Sequence, residues 1–220
     1  MNLNTDFSIL TYQGGYDKNF SYLITCNMTG SQILIDAAID IEKIYRDINN
    51  DSLTILITHG HKDHIQYLDQ YISKFPKSII RGHPKSYLAT YLENFKIIND
   101  NKNFIIGNLQ FNGLYTPGHY FDSICFCLGS VLFTGDTLFV GRTGRVVDKK
   151  SDINKLYDSI FNKILKMPNK TIIYPGHNYG YKPKISLKEN INQSPLLRAK
   201  NLIDFKLRMK EYEKNRKLGS

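Results

Sequence analysis

Four side chains able to hold a metal ion fall within six consecutive positions, His59-Gly60-His61-Lys62-Asp63-His64. The segment follows the apolar run LTILIT, which reads as a buried strand ending at Thr58, and it leads into a helical pattern over His64 to Lys74. A strand-to-helix loop of this composition crowds imidazoles and a carboxylate into a small volume, an arrangement that a bound cation stabilises. The chain must therefore fold so that a strand end opens onto a polar site. Of its six histidines, five lie in this loop or in two further turns, Thr116-Pro117-Gly118-His119 and Tyr174-Pro175-Gly176-His177. Asp136 follows Gly135 at the end of another apolar run, where a carboxylate is free to serve a shared site. Because a carboxylate can bridge two ions, the seven groups divide into His59, His61 and His119 for one ion, Asp63, His64 and His177 for the other, and Asp136 between them.

The surrounding pattern sets the architecture. The runs Phe7 to Thr11, Asn19 to Cys26 and Gln32 to Asp36, separated by turn chemistry at Gly14-Gly15 and at Asn27 to Ser31, read as an antiparallel meander. Asp40 caps an expected helix with Ile41, Ile44, Tyr45 and Ile48 at helical spacing. After the ligand loop come a strand at SIIR and a second helix over Lys85 to Glu93. The second half repeats the order: strands NLQFNGLYT, DSICFCL and SVLFTGD, an amphipathic helix over residues 152 to 166, and the strand TIIY. This recurrence predicts an α/β protein with two sheets packed face to face and helices outside, rather than a doubly wound parallel sheet. At 220 residues the expected division is one catalytic domain over 1–194, with a C-terminal helix over 195–220 docked on it through Leu196, Leu197, Leu202 and Phe205.

Composition excludes several classes. Hydrophobic residues at 41% and charged residues at 22% place the chain among folded globular proteins, away from disorder. No run approaches the roughly 18–20 apolar residues of a membrane span, and the opening MNLNTDFSIL has no basic leader or apolar signal core, so a cytoplasmic protein is expected. Three cysteines, Cys26, Cys125 and Cys127, suit reduced thiols, the last two as buried packing residues in one strand. The net charge of +9 favours anionic partners in general, yet the basic residues are not interleaved with aromatics, and nucleic acid is not expected as a partner. His83 reads as a loop residue, and Asp36 as a support for the ligand loop through hydrogen bonds.

From about Phe7 to about Ala199 the sequence resembles the metallo-β-lactamase superfamily, through H-x-H-x-D-H with His119, Asp136 and His177. Within it, FTGDTLFVGRTGR and YPGHNYG look like the glyoxalase II (hydroxyacylglutathione hydrolase) and persulfide dioxygenase branch. The resemblance implies a four-layer αββα sandwich with two divalent metal ions at one edge of the sheets, zinc first, with iron or manganese as alternatives. It implies hydrolysis of a small thiolester such as S-lactoylglutathione by a metal-bridging hydroxide, with Asp63 orienting the attacking group. Arg145 and Tyr179 then correspond to residues that contact glutathione, and Arg142, Lys182 and Lys184 add charge near the same edge. No membrane partner is implied, and the chain is expected as a monomer or homodimer. The alternative activity in this branch is a mononuclear iron persulfide dioxygenase acting on glutathione persulfide, with iron held by His59, His119 and Asp136. Two departures bear on the pocket. Only 43 residues follow His177, too few for a full helical glutathione-binding domain, and Tyr120-Phe121-Asp122 precede Ser123 where the family usually shows a Thr and a Gly.

Overall fold

The computed structural model describes residues 6–49 and 51–218. Two six-stranded mixed sheets face each other. The first contains β1 (Phe7–Gly14), β2 (Asn19–Cys26), β3 (Gln32–Ile35), β4 (Leu53–Leu56), β5 (Ile79–Gly82) and β6 (Phe95–Ile97), in that spatial order. The second contains β7 (Lys102–Ile106), β8 (Leu109–Tyr115), β9 (Ile124–Leu128), β10 (Val131–Gly135), β11 (Ile172–Pro175) and β12 (Ile185–Ser186), again in simple spatial sequence. Helices α1 (Leu68–Lys74), α2 (Ile153–Asp158), α3 (Leu187–Gln193) and α4 (Leu202–Leu218) supply the outer layers. This is the expected four-layer αββα sandwich.

Continuous burial along β3, β4 and β10 explains their unbroken apolar runs, because strands covered on both faces have no polar side to show. Between the sheets, Phe20, Tyr22, Ile24, Ile33 and Ile35 meet Phe111, Phe126 and Phe133. Outside the first sheet, Leu23, Leu34, Ile55 and Ile80 pack with Ile44, Leu68 and Tyr71. Outside the second, Leu132 and Ile173 pack with Leu156 and Ile160 of the α2 region, Leu187 of α3, Leu196 and Leu197, and Phe205 and Met209 of α4.

Several local expectations are corrected. Residues 41–47 form two separate 3-10 turns, not an α-helix. Asp40 does cap the first of them, but the chain is pulled short by Gln32, whose side chain donates to Asp47 O and accepts from Asn49 N, and Ile41, Ile44 and Ile48 are buried nonetheless. Residues 85–93 hold only a 3-10 turn, Tyr87–Thr90, and His64 belongs to a 3-10 turn ahead of the shorter α1. Strands β6, β7 and β12 and helix α3 have no counterpart in the sequence reading. β7 exposes or half-exposes every residue, so it carries no apolar signal, whereas α3 starts at a Ser186 cap that accepts from Glu189 N. The terminal helical segment is broken: a 3-10 turn over Leu196–Arg198 precedes α4, and Leu202 is only half-buried. Cys125 is buried but Cys127 is partly exposed.

This topology prepares one edge. β3 and β4 run parallel in one sheet and β10 and β11 in the other, so the C-terminal ends of all four open on the same side. Phe20 N donates to Gly176 O there, tying the two sheets together. Open α/β sheets place ligands at the carboxyl ends of their strands, and the ligand loops sit at these ends.

Candidate metal centre

Four of the candidate histidines, His59, His64, His119 and His177, are held by a bond on the ring nitrogen that faces away from the centre. At the end of β3, Asp36 adopts a left-handed conformation, with φ of 57°. Its Oδ1 accepts Thr58 N at 2.7 Å, and its Oδ2 accepts the Thr58 hydroxyl and His64 Nδ1, each at 2.7 Å. A carboxylate on Nδ1 leaves His64 Nε2 as the inward atom. His119 Nδ1 donates to Arg145 O at 2.9 Å, and His177 Nδ1 donates to Asp17 O at 2.7 Å, so both again turn Nε2 inward. Asn19 Nδ2 donates to Asp63 Oδ2 at 2.9 Å. Glycines let these groups approach one another. A Cβ at Gly176 would collide with Asp136 Oδ1 and His64 Cε1, and Gly135, at φ of 47°, lies against Thr58.

The inward atoms converge. His59 Nε2 and His119 Nε2 each lie 3.0 Å from His61 Nδ1, and His64 Nε2 lies 3.3 Å from His177 Nε2. Asp136 reaches both groups, at 3.2 Å from His64, 3.3 Å from His177 and 3.5 Å from His119. His177 Nε2 is 3.3 Å from Asp63 Oδ2. Three overlapping clusters result, each with its ligand atoms within 4.8 Å of one another: His59, His61 and His119; His59, His64 and Asp136; Asp63, His64 and His177. Ring nitrogens aimed at ring nitrogens satisfy each other poorly, and buried Asp136 Oδ1 makes no hydrogen bond. Both observations fit divalent cations seated among these atoms.

The electrostatics point the same way. Burial and the neighbouring imidazoles hold His59 and His119 below the usual histidine range, and they push His61 down to about 4. Burial works against charge at Asp136 and Asp63 too, but His64 and His177 outweigh it and keep both carboxylates ionised. The reverse holds for those two histidines: despite burial, Asp136 raises both, His64 with help from Asp36 and His177 with help from Asp63, the latter to about 9. Neutral imidazoles at His59, His61 and His119 and ionised carboxylates at Asp63 and Asp136 are the protonation states in which these groups bind a metal.

The cluster forms the floor of a cleft of about 580 Å³, also lined by Tyr16, Phe139, Arg142, Arg145, Tyr179 and Tyr212. Arg145 and Tyr179 therefore share the cavity with five of the seven ligand candidates, His61, Asp63, His119, Asp136 and His177, but Arg145 Nε and Nη2 and the Tyr179 hydroxyl are already partnered within the chain. Arg145 grips Glu213 of α4 with Nε at 3.0 and 3.2 Å and Nη2 at 2.8 Å, and the Tyr179 hydroxyl donates to Asp17 Oδ2. Arg142 lies 3.8 Å above the Tyr179 ring and donates to the Tyr212 hydroxyl at 2.9 Å. Lys182 pairs with Glu189 and Lys184 donates to Tyr174, and neither lines the cleft. His83 stays outside the site, stacked on Tyr115 at 4.0 Å. The unusual Tyr120-Phe121-Asp122 segment braces the ligand loop: the Tyr120 ring sits 4.1 Å from that of His61, and Asp122 Oδ1 accepts Gly60 N at 3.1 Å. Sequence reasoning missed Asn19, Asp17, Tyr212 and Glu213. No motif spacing marks them, because each reaches the site from a distant strand, turn or helix.

Comparisons with known proteins agree with this geometry. Residues 14–177 match the Metallo-beta-lactamase superfamily. Over 203 residues the chain is 32% identical to the probable hydroxyacylglutathione hydrolase glo2 of Schizosaccharomyces pombe, covering 87% of this chain and 75% of that one. Over 182 residues it is 28% identical to the probable polyketide biosynthesis zinc-dependent hydrolase PksB of Bacillus subtilis, covering 81% and 80% respectively. The crystal structure of ETHE1 from Myxococcus xanthus superposes with a TM-score of 0.81 at 27% identity, over 92% of this chain and 90% of that one. The H-x-H-x-D-H loop, the shared carboxylate and the two-sheet edge that gathers them thus have one common explanation: the chain belongs to the metallo-β-lactamase superfamily, in its glyoxalase II-like and persulfide dioxygenase-like branch.

Proposed function

We propose that the protein hydrolyses a small thiolester with two divalent metal ions, zinc first, held by His59, His61 and His119 on one side, by Asp63, His64 and His177 on the other, and by Asp136 between them. One observation supports this above the rest: Asp136 lies within 3.5 Å of an imidazole from each group, as a shared carboxylate must. Bound there, the ions supply Lewis acidity and a nucleophile at neutral pH. The chain supplies the rest. Asp63, anchored by Asn19, orients the attacking water, and the thiolester C–S bond breaks to release an acid and a thiol, a good leaving group. Tyr16 and Phe139 line the route to the floor, and Arg142 forms part of its wall. We place this activity in the cytoplasm, where the free thiols Cys26, Cys125 and Cys127 stay reduced.

The test joins elemental analysis with hydrolysis of S-lactoylglutathione and of other thiolesters by the metal-loaded protein. About two ions per chain with thiol release support the reading, and no thiol release from any thiolester overturns it. His59, His119 and Asp136 also form a two-histidine, one-carboxylate set, with His119 Nε2 3.5 Å from Asp136 Oδ2, which favours a second reading: one iron and oxidation of glutathione persulfide. A single tightly held iron, with oxygen consumed on addition of persulfide, would select it.

A further inference from the structure

The wall above the metal floor differs from what its arginines suggest. Arg145 offers Nε and Nη2, the edge of a guanidinium that grips a carboxylate with two parallel hydrogen bonds. That edge is already taken by a carboxylate of the same chain, Glu213, which accepts from both nitrogens. Tyr179 donates its hydroxyl to another internal carboxylate, Asp17. Arg142 is covered on one face by the Tyr179 ring and gives Nη1 to Tyr212. Lys62 and Arg216 also line the cleft, but both are in contact with solvent, where water screens them.

Glu213 sits on α4, which is anchored through Phe205 and Met209 in the outer core, so its place beside Arg145 is set by packing and not by a loose tail. The Arg145 and Glu213 side chains are 38% and 20% exposed, accessible enough for a substrate group to compete for the guanidinium. A substrate carboxylate arriving there would have to expel Glu213 and leave it unpaired against the new anion. A neutral group would meet no such opponent.

We propose that Glu213 is a specificity-determining residue: by neutralising Arg145 it sets the cleft against thiol carriers that place a carboxylate on this wall and in favour of thiolesters whose carrier arm is neutral, bearing amides or hydroxyls. The proposal deepens the thiolester-hydrolase reading, and its kinetic arm rests on that reading; its binding arm does not.

The experiment uses the metal-loaded full chain and the variant Glu213→Gln, which removes the charge and keeps the side-chain shape. Binding is measured by calorimetry with S-methylglutathione, which has no thiolester to hydrolyse, and with its diethyl ester, in which both carboxylates are masked. Kinetics use S-lactoylglutathione and its diethyl ester. The variant is expected to shift both ratios, of dissociation constants and of kcat/KM, about tenfold toward the free carboxylates, the size expected when a hydrogen bond to a charged group is gained. Ratios unchanged from wild type, or no binding of S-methylglutathione by either protein, overturn the proposal. If the binding ratio shifts while neither protein hydrolyses any thiolester, the specificity assignment stands and the hydrolase reading falls.

Discussion

On the floor of the cleft, ring nitrogens of His61, His59 and His119 face one another at 3.0 Å and Asp136 Oδ1 has no hydrogen bond, whereas on the outer wall Arg145, Tyr179 and Arg142 each find a partner in Glu213, Asp17 or Tyr212. The floor is arranged for something that the chain does not itself provide. The wall is already satisfied from within. A region whose polar groups are complete only with a cation depends on that cation for cohesion, while a region that closes on itself changes little when ligands come and go. The floor and the wall of this cleft thus rest on different physical grounds, and they can be disturbed separately.

The largest expected break in that contrast is Asp136→Ala. Removing this carboxylate should lower the metal content found by elemental analysis below that of the wild type and weaken metal affinity beyond the roughly 10–100-fold typical of support residues. Next comes Phe205→Ala, which empties a fully buried ring site between Tyr157 and Phe161 under α4. Denaturant unfolding should show about 3–5 kcal/mol lost, while the variant's metal content stays at the wild-type value, because the floor is built on other elements. Asp36→Asn should act through the groups it holds: an amide has one acceptor oxygen, so either Thr58 N or His64 Nδ1 loses its acceptor, and metal titration should show affinity reduced by roughly 10–100-fold. The smallest effect belongs to the wall. Glu213→Gln should change unfolding free energy by no more than about 1 kcal/mol, since partly exposed ion pairs contribute little. A much larger loss would mean that the wall, like the floor, is held by charge.

The two regions also differ in how far they can be read from sequence. His59, His61, Asp63 and His64 are neighbours in the chain, and His119 and His177 each follow a Pro-Gly turn, so the candidate set is visible as local pattern. The strands leading to it, LTILIT, SVLFTGD and TIIY, are visible as well, because burial on both faces makes them uniformly apolar. The helices were less legible. Over 41–48 the apolar spacing is helical, but the segment forms two tight turns and the bonds from Gln32 to Asp47 and Asn49 close it off, contacts 15 and 17 positions away that no periodicity records. β7, with no buried residue, offered nothing to the eye.

The sequence alone determined the candidate ligand types, their division between one strand-to-helix loop and three strand-end positions, and the two-sheet class, since each of these follows from short-range spacing and apolar runs. Only the tertiary structure decided what stands behind each ligand and what occupies the wall. Asn19 reaches Asp63 across 44 positions and Glu213 reaches Arg145 across 68. Such pairings depend on how strands order within a sheet and on where α4 lies against its outer layer, and that packing is settled by the whole buried core at once.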